Sequence, residues 1–464
     1  MKTISNLLFL FIGFSCAPST ILFDNPGIPV LKKEINTLIA KSNLDVNMSI
    51  KMSSLNSGKT LYALNSHNRL MPASNNKLYT SAAALAQLGS DYTFETSVFQ
   101  ENNNLYLVGG GDPDFSLDQL DSLAQTISIA IKFVDTLFVD ESLMDTIHYG
   151  NGWMWDEGPW WYSAPISALS LNDNCIDFYI RPGKLGDPVS IHTSPSTNYI
   201  QIDNQSITVN DTVDFQKFKI DRNWIGMTNN FSITGEKLVN ASPDTLIRNI
   251  VNPPLFAGIV FKEMLEQNGV HINSVDVGIC SSSGLKLASH ISDSLYHSTK
   301  NLMNESDNLI AELFVKTMGI SEYNIGNWND GINVIKSFLA DSANIDTTTI
   351  RMADGSGVSR YNLTSADHFI QLLSYMYTSQ FKDDFLAVLP DGESNGTLEN
   401  RFKLNGVRVK AKTGHLSGVS CLSGYAFSPQ YGPVAFSMLM NGYIGSSREY
   451  RQLQDQIIGL LIHD

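Results

Sequence analysis

Met71-Pro72-Ala73-Ser74-Asn75-Asn76-Lys77 runs directly into Leu78-Tyr79-Thr80-Ser81-Ala82-Ala83-Ala84-Leu85. Pro72 stands ahead of an Ala- and Leu-rich run that stops near Gly89, which predicts a helix opening close to Ser74. A residue three positions on lies on the same helix face one turn along, so the Lys77 amine comes beside the Ser74 hydroxyl. A serine is a weak nucleophile until a base takes its proton, and a lysine held neutral by burial or by another cation can do that. Ser74 is read as the nucleophile and Lys77 as its base. Ser283–Lys286 and Ser379–Lys382 share the spacing, so the pair gains its meaning from partners elsewhere in the chain.

Two such partners follow. Ser306-Asp307-Asn308 breaks a helical stretch running from Leu302 to Gly319, and Lys412-Thr413-Gly414 ends an alternating, strand-like run from Val407. Ser-x-Asn recurs at Ser54, Ser196 and Ser342, whereas Lys-Thr-Gly occurs once. A Ser-x-x-Lys followed by these two motifs is the signature of penicillin-binding proteins and serine β-lactamases. Acyl transfer needs a nucleophile, a base, an acid for the leaving amine and donors for the oxyanion. Ser306 can pass a proton to the amine, and Asn308 can hold Lys77 and a substrate amide. Lys412 supplies positive charge that helps keep Lys77 neutral, and with Thr413 it can bind a terminal carboxylate. The backbone N–H groups of Ser74 and His415 are the natural oxyanion pair, with Gly414 letting substrate backbone lie close.

The totals bound the rest. A chain of 464 residues exceeds one ordinary core, and 43% hydrophobic content with 10% aromatics fits folded protein. The formal charge of −15 argues against nucleic acid, whose phosphates need a basic footprint. Ile4 to Phe14 is a short apolar run behind Lys2 and reads as a secretory leader, ending at Cys16 in a site similar to bacterial lipoprotein processing sites. Cys175, Cys280 and Cys421 have no paired spacing and are expected to be structural thiols. The nine histidines show no His-Glu-x-x-His or clustered ligand spacing, so no metal is implied; no cofactor is expected.

Along the chain, Pro29 to Lys41 reads as an amphipathic helix, then Met48 to Ser54 and Thr60 to Leu64 as a hairpin. From Cys175 to about Val239 short strands dominate, Tyr199 to Ile202 among them, before a helix from Pro254 to Gly269. Val419 to Phe427 and Val434 to Met440 are further strands, and a helix from about Ser447 to Ile462 closes the chain.

The chain resembles the class C low-molecular-mass penicillin-binding proteins, the D-alanyl-D-alanine carboxypeptidase/endopeptidase family of the penicillin-binding protein 4 type. Beyond the three motifs, Gly109-Gly110-Gly111-Asp112-Pro113, Tyr162-Ser163-Ala164-Pro165 and Asp354-Gly355-Ser356-Gly357 carry the likeness. The resemblance implies an α+β fold: a serine β-lactamase/DD-peptidase-like domain with a five-stranded antiparallel sheet, split by two nested, strand-rich insertions. The implied partition is a leader at 1–16, a catalytic domain at 24–92 plus 282–464, an inserted domain at 93–165 plus 250–281, and a nested one at 166–249. It also implies a pocket for a diaminopimelate side chain, built from Glu157 (or its neighbour Asp156), Tyr162 and Arg360, with Leu416 and Ser417 as its floor. Two residues depart from the family: His415 stands where a small hydroxyl residue is usual, and Glu157 where an Asp is. The expected partners are peptidoglycan peptides and β-lactam antibiotics, in the periplasm or cell envelope, with membrane attachment through a lipidated Cys16. The rivals are a β-lactamase, for which no extra carboxylate is evident to activate a deacylating water, and an idle wall-binding protein.

Overall fold

The computed structural model describes residues 27–393, 396–402 and 408–462. The leader with Cys16 lies outside the described residues, as does Val407. Five antiparallel strands make the central sheet, in the order Val409–Leu416, Val419–Ser428, Gly432–Asn441, Asn47–Ser54, Thr60–Leu64. Side chains alternate along each strand. Val419, Cys421 and Tyr425 therefore face one core while Leu422 and Ala426 face the other. Helices Gly27–Ser42 and Arg448–Ile462 fill the second core through Leu31, Ile35, Leu453 and Ile457. Helices Lys77–Gln87, Asn308–Tyr323 and Ala366–Thr378 fill the first. This is the α+β arrangement the resemblance implies.

Strand Asn47–Ser54 pairs with Gly432–Asn441 from Asn47↔Asn441 to Ser54↔Val434. The two ends of the chain thus complete one sheet, and the long middle is an excursion from it. That middle holds a second five-stranded sheet, ordered His271–Val277, Phe133–Asp140, Asn104–Val108, Glu95–Glu101, Leu285–Ile291. Helices Leu117–Ala130 and Pro253–Gln267 share its core. Leu285–Ile291 belongs here although it lies beyond residue 281, because the returning strand pairs with the departing one, Ile291 opposite Glu95. Between residues 175 and 249 the strands are short; Cys175–Arg181 runs between Asp244–Asn249 and Ser190–Ser194. One of them begins at Gln201 rather than Tyr199. All three described cysteines are free thiols. Among the described residues no helix is long and apolar enough to cross a membrane.

Candidate active site

The opening stretch forms a 3-10 turn, Ala73–Asn76, that runs into helix Lys77–Gln87. Its two asparagines fix where it sits. Asn75 Nδ2 donates to Ser423 Oγ at 2.6 Å, and Asn76 Nδ2 to the Asp354 carbonyl at 2.8 Å. The turn is thereby tied to the central sheet on one side and to the loop at 354–357 on the other. Ala73 takes a φ of 46°, a left-handed conformation that costs a non-glycine residue about 1–3 kcal/mol and that the surroundings must hold. Gly357 does part of that holding. Its φ is +90°, and a Cβ there would lie 1.9 Å from the Ala73 carbonyl oxygen. Gly357→Ala is expected to cost about 2–4 kcal/mol of stability. It should also lower turnover about a hundredfold by displacing Ser74. Thermal melts and kcat measured on the same sample check both.

Lys77 is wholly buried. Its Nζ donates to Ser74 Oγ at 3.1 Å, Asn308 Oδ1 at 2.6 Å and the Ser356 carbonyl at 2.9 Å. Burial pulls its pKa down to about 8, while the charges of Glu312, Asp307 and Asp354 hold it up. Lys412, also buried, donates to Ser306 Oγ at 2.9 Å and to the Thr413 carbonyl at 3.1 Å. Desolvation and then the neighbouring Lys77 push its pKa well down. Positive charge on Lys77 thus disfavours positive charge on Lys412.

The middle motif sits where two helices meet, Leu295–Glu305 and Asn308–Tyr323. Ser306 is left-handed at φ 63°, and Asp307 caps the second helix by accepting from the Ile310 N–H at 2.9 Å. Asn308 then opens that helix, its Oδ1 on Lys77 and its Nδ2 on the Tyr162 carbonyl at 2.7 Å. Lys412-Thr413-Gly414 lies within strand Val409–Leu416 rather than at its end, because the hairpin to Val419 extends the pairing to Leu416. A Cβ on Gly414 would come within 2.6 Å of the Pro72 carbonyl oxygen. The absent side chain thus lets the strand close on the Ser74 turn. A cleft of about 480 Å³ results, with Ser74, Ser306, Asn308 and Thr413 in its wall. The Ser74 and Ser306 hydroxyls there are each bonded to a buried amine, with the Asn308 amide beside them, a set that can activate an alcohol and protonate a departing amine.

The D-Ala-D-Ala carboxypeptidase 3 (S13) family model matches residues 31–463. The chain belongs to the S13 family of serine D-Ala-D-Ala carboxypeptidases. The chain is 33% identical to the D-alanyl-D-alanine carboxypeptidase of Actinomadura sp. (strain R39), over 92% of this chain and 85% of the relative. It is 27% identical to D-alanyl-D-alanine carboxypeptidase DacB of Haemophilus influenzae, over 86% of each. Penicillin-binding protein 4 (dacB) of Haemophilus influenzae superposes with a TM-score of 0.80 at 24% identity, covering 92% of this chain and 99% of that one. The same protein complexed with a β-lactam superposes at 0.75.

In this S13 carboxypeptidase the cleft is also lined by Glu157, Tyr162, Arg360, His415, Leu416 and Ser417. Tyr162 donates its hydroxyl to Glu157 Oε2 at 3.2 Å, and both outer nitrogens of Arg360 reach the Ser417 carbonyl, at 3.2 and 3.3 Å. Of the two acids the sequence offers, Glu157 lines the cleft; Asp156 is exposed and does not. The chain runs through there without helix or strand. Burial, and after it Arg451, lowers the His415 pKa.

Sequence reasoning missed Glu312. This buried carboxylate accepts from the N–H groups of Gly355 and Ser356 at 2.8 and 2.7 Å and from Trp328 Nε1 at 2.7 Å. It therefore shapes the loop whose Ser356 carbonyl holds Lys77. Burial, aided by the charge of Asp354, pushes its carboxyl up to about 7. The signal was an acid inside the apolar run Leu309-Ile310-Ala311-Glu312-Leu313-Phe314.

Proposed function

We propose that this carboxypeptidase attacks the D-Ala–D-X bond of peptidoglycan stem peptides through an acyl-enzyme on Ser74. The observation that carries the reading is the 3.1 Å contact of Lys77 Nζ with Ser74 Oγ, in one cleft with the Lys412–Ser306 pair. Neutral Lys77 takes the Ser74 proton as Oγ adds to the carbonyl carbon. The N–H groups of Ser74 and His415 hold the oxyanion. Ser306 gives its proton to the departing amine and regains one from the lysine pair as the C–N bond breaks. Water then adds to the ester and frees Ser74. Lys412 and Thr413 hold the substrate carboxylate. One N–H of Asn308 Nδ2 is spent on Tyr162, leaving the second for a substrate carbonyl. Strand Val409–Leu416 is the sheet's outer strand, so the peptide can add to it edge-on.

Glu157, Tyr162 and Arg360 suit the zwitterionic end of a diamino acid, one acid and one guanidinium apart. Arg360→Ala is expected to raise KM about tenfold for a diaminopimelate-bearing stem peptide, leaving a lysine-bearing one within about twofold. Steady-state kinetics on the two peptides check this. The reading includes export by the leader, anchoring at Cys16, acylation by β-lactams, cleavage of cross-links, and a partition into a split catalytic domain with two insertions.

Its test is release of D-Ala from a pentapeptide ending in D-Ala-D-Ala, alongside digestion of cross-linked sacculi with analysis of the released muropeptides. Absence of both activities overturns it. A penicilloyl adduct that survives only seconds shifts the assignment to a β-lactamase.

A further inference from the structure

A second cavity, of about 320 Å³, adjoins the cleft and shares Glu157 with it. Its walls include Tyr149, Trp153, Trp155, Trp224 and Arg222. Trp155 and Trp224 come from segments far apart in the chain, yet their rings lie 5.4 Å apart, tilted by 47°. Trp155 is 79% exposed, so its indole presents an open face rather than filling a core. Tyr149 meets Trp153 edge-on at 6.4 Å.

The polar part of the cavity is only partly spent. Arg222 is 4% exposed, and its guanidinium donates to the Thr228 carbonyl at 3.1 Å and to Asn249 Oδ1 at 2.9 Å, both neutral acceptors. Its Nε is buried without a hydrogen-bond partner, and so is Thr228 Oγ1 on the same turn. A buried guanidinium with unused donors calls for an acceptor from outside, since leaving such a group unpaired is costly.

We infer that this cavity binds an N-acylated amino sugar of the glycan to which the stem peptide is attached. The apolar face of a pyranose fits against open indoles. An acyl oxygen in the cavity accepts from the guanidinium, whose two present partners are neutral, as a charge-assisted hydrogen bond. Glu157, on the shared wall, accepts from the sugar's N–H or hydroxyls. One cation and one acid suit a neutral ligand that carries both acceptors and donors. The cavity thereby reads the sugar while the cleft reads the peptide. The choice of sugar rests on the carboxypeptidase reading; the aromatic walls and the unsatisfied guanidinium do not.

The test titrates the full chain with N,N′-diacetylchitobiose, followed by tryptophan fluorescence, since three of the six tryptophans line the cavity. Saturable binding is expected, weakened about tenfold in Trp155→Ala and in Arg222→Gln. Cellobiose, which has no acyl group, should bind about tenfold more weakly than the acylated sugar. The exposed Trp155 keeps the test sound should the buried Arg222 variant fail to fold. No saturable change, equal binding of the two sugars, or undiminished binding in Trp155→Ala overturns the inference. Pentapeptide hydrolysis is assayed on the same preparation. Hydrolysis without sugar binding removes this site alone, and sugar binding with neither pentapeptide hydrolysis nor sacculus digestion removes the carboxypeptidase reading alone.

Discussion

Ser74→Ala is expected to abolish the covalent penicilloyl adduct and to lower D-Ala release by at least about 10⁴-fold, with the fold intact. The nucleophilic atom is gone, and no rearrangement of the cleft replaces it without moving the turn. The fold survives because the hydroxyl does little structural work. Ser74 is half-buried, and Lys77 keeps its bonds to Asn308 Oδ1 and to the Ser356 carbonyl when Oγ is lost. Stability should therefore stay within about 1 kcal/mol of the parent. Intact-protein mass spectrometry after penicillin treatment, with a thermal melt of the same variant, measures both. An adduct that persists would move the nucleophile to Ser306. That is the other hydroxyl in the cleft beside a buried amine, 2.9 Å from Lys412 Nζ.

How much of this was legible depends on whether the deciding contact is local. Ser74 and Lys77 are one turn apart, so spacing alone places them together. The turn at Ser306 and the strand at Lys412 are also local features, read from a polar break and an alternation. Their convergence is not local, and the motif trio stood in for it. Glu312 shows the limit. An acid in an apolar helical run announces that something pairs with it, but the partners are N–H groups of a loop more than forty residues on. Helix Leu117–Ala130 was missed although Ser116 and Gln119 form a capping box at its start, a signal the sequence carries. Strand Leu285–Ile291 pairs with Glu95–Glu101 across almost two hundred residues, a pairing that no local signal announces. The aromatic cavity was half visible. The cluster from Trp153 to Tyr162 stands out in the sequence, whereas Arg222 and Trp224 join it only through the fold.

Lys77→Met should lower the acylation rate by about 10³- to 10⁴-fold, the usual contribution of a positioned base together with the order it imposes on the nucleophile. Methionine matches the stem and lacks the amine. Two acceptors, on Asn308 and Ser356, lose a partner, but a desolvated ammonium is removed as well, and these effects oppose each other. The pH dependence separates a base from a mere spacer. Only neutral Lys77 can accept the Ser74 proton, and its pKa in the free pocket is about 8. Acylation by the parent enzyme should therefore rise about tenfold per pH unit below that value and level off above it. In Lys77→Met the rise should vanish. Lys412 sets a further sign. A substrate carboxylate beside it favours its charged form, and a charged Lys412 disfavours charge on Lys77. A peptide ending in a free carboxylate should thus show a lower apparent pKa in kcat than the same peptide as its terminal amide. Equal values for the two peptides would detach Lys412 from the carboxylate. A rise that survives in Lys77→Met would assign the proton acceptor to another group.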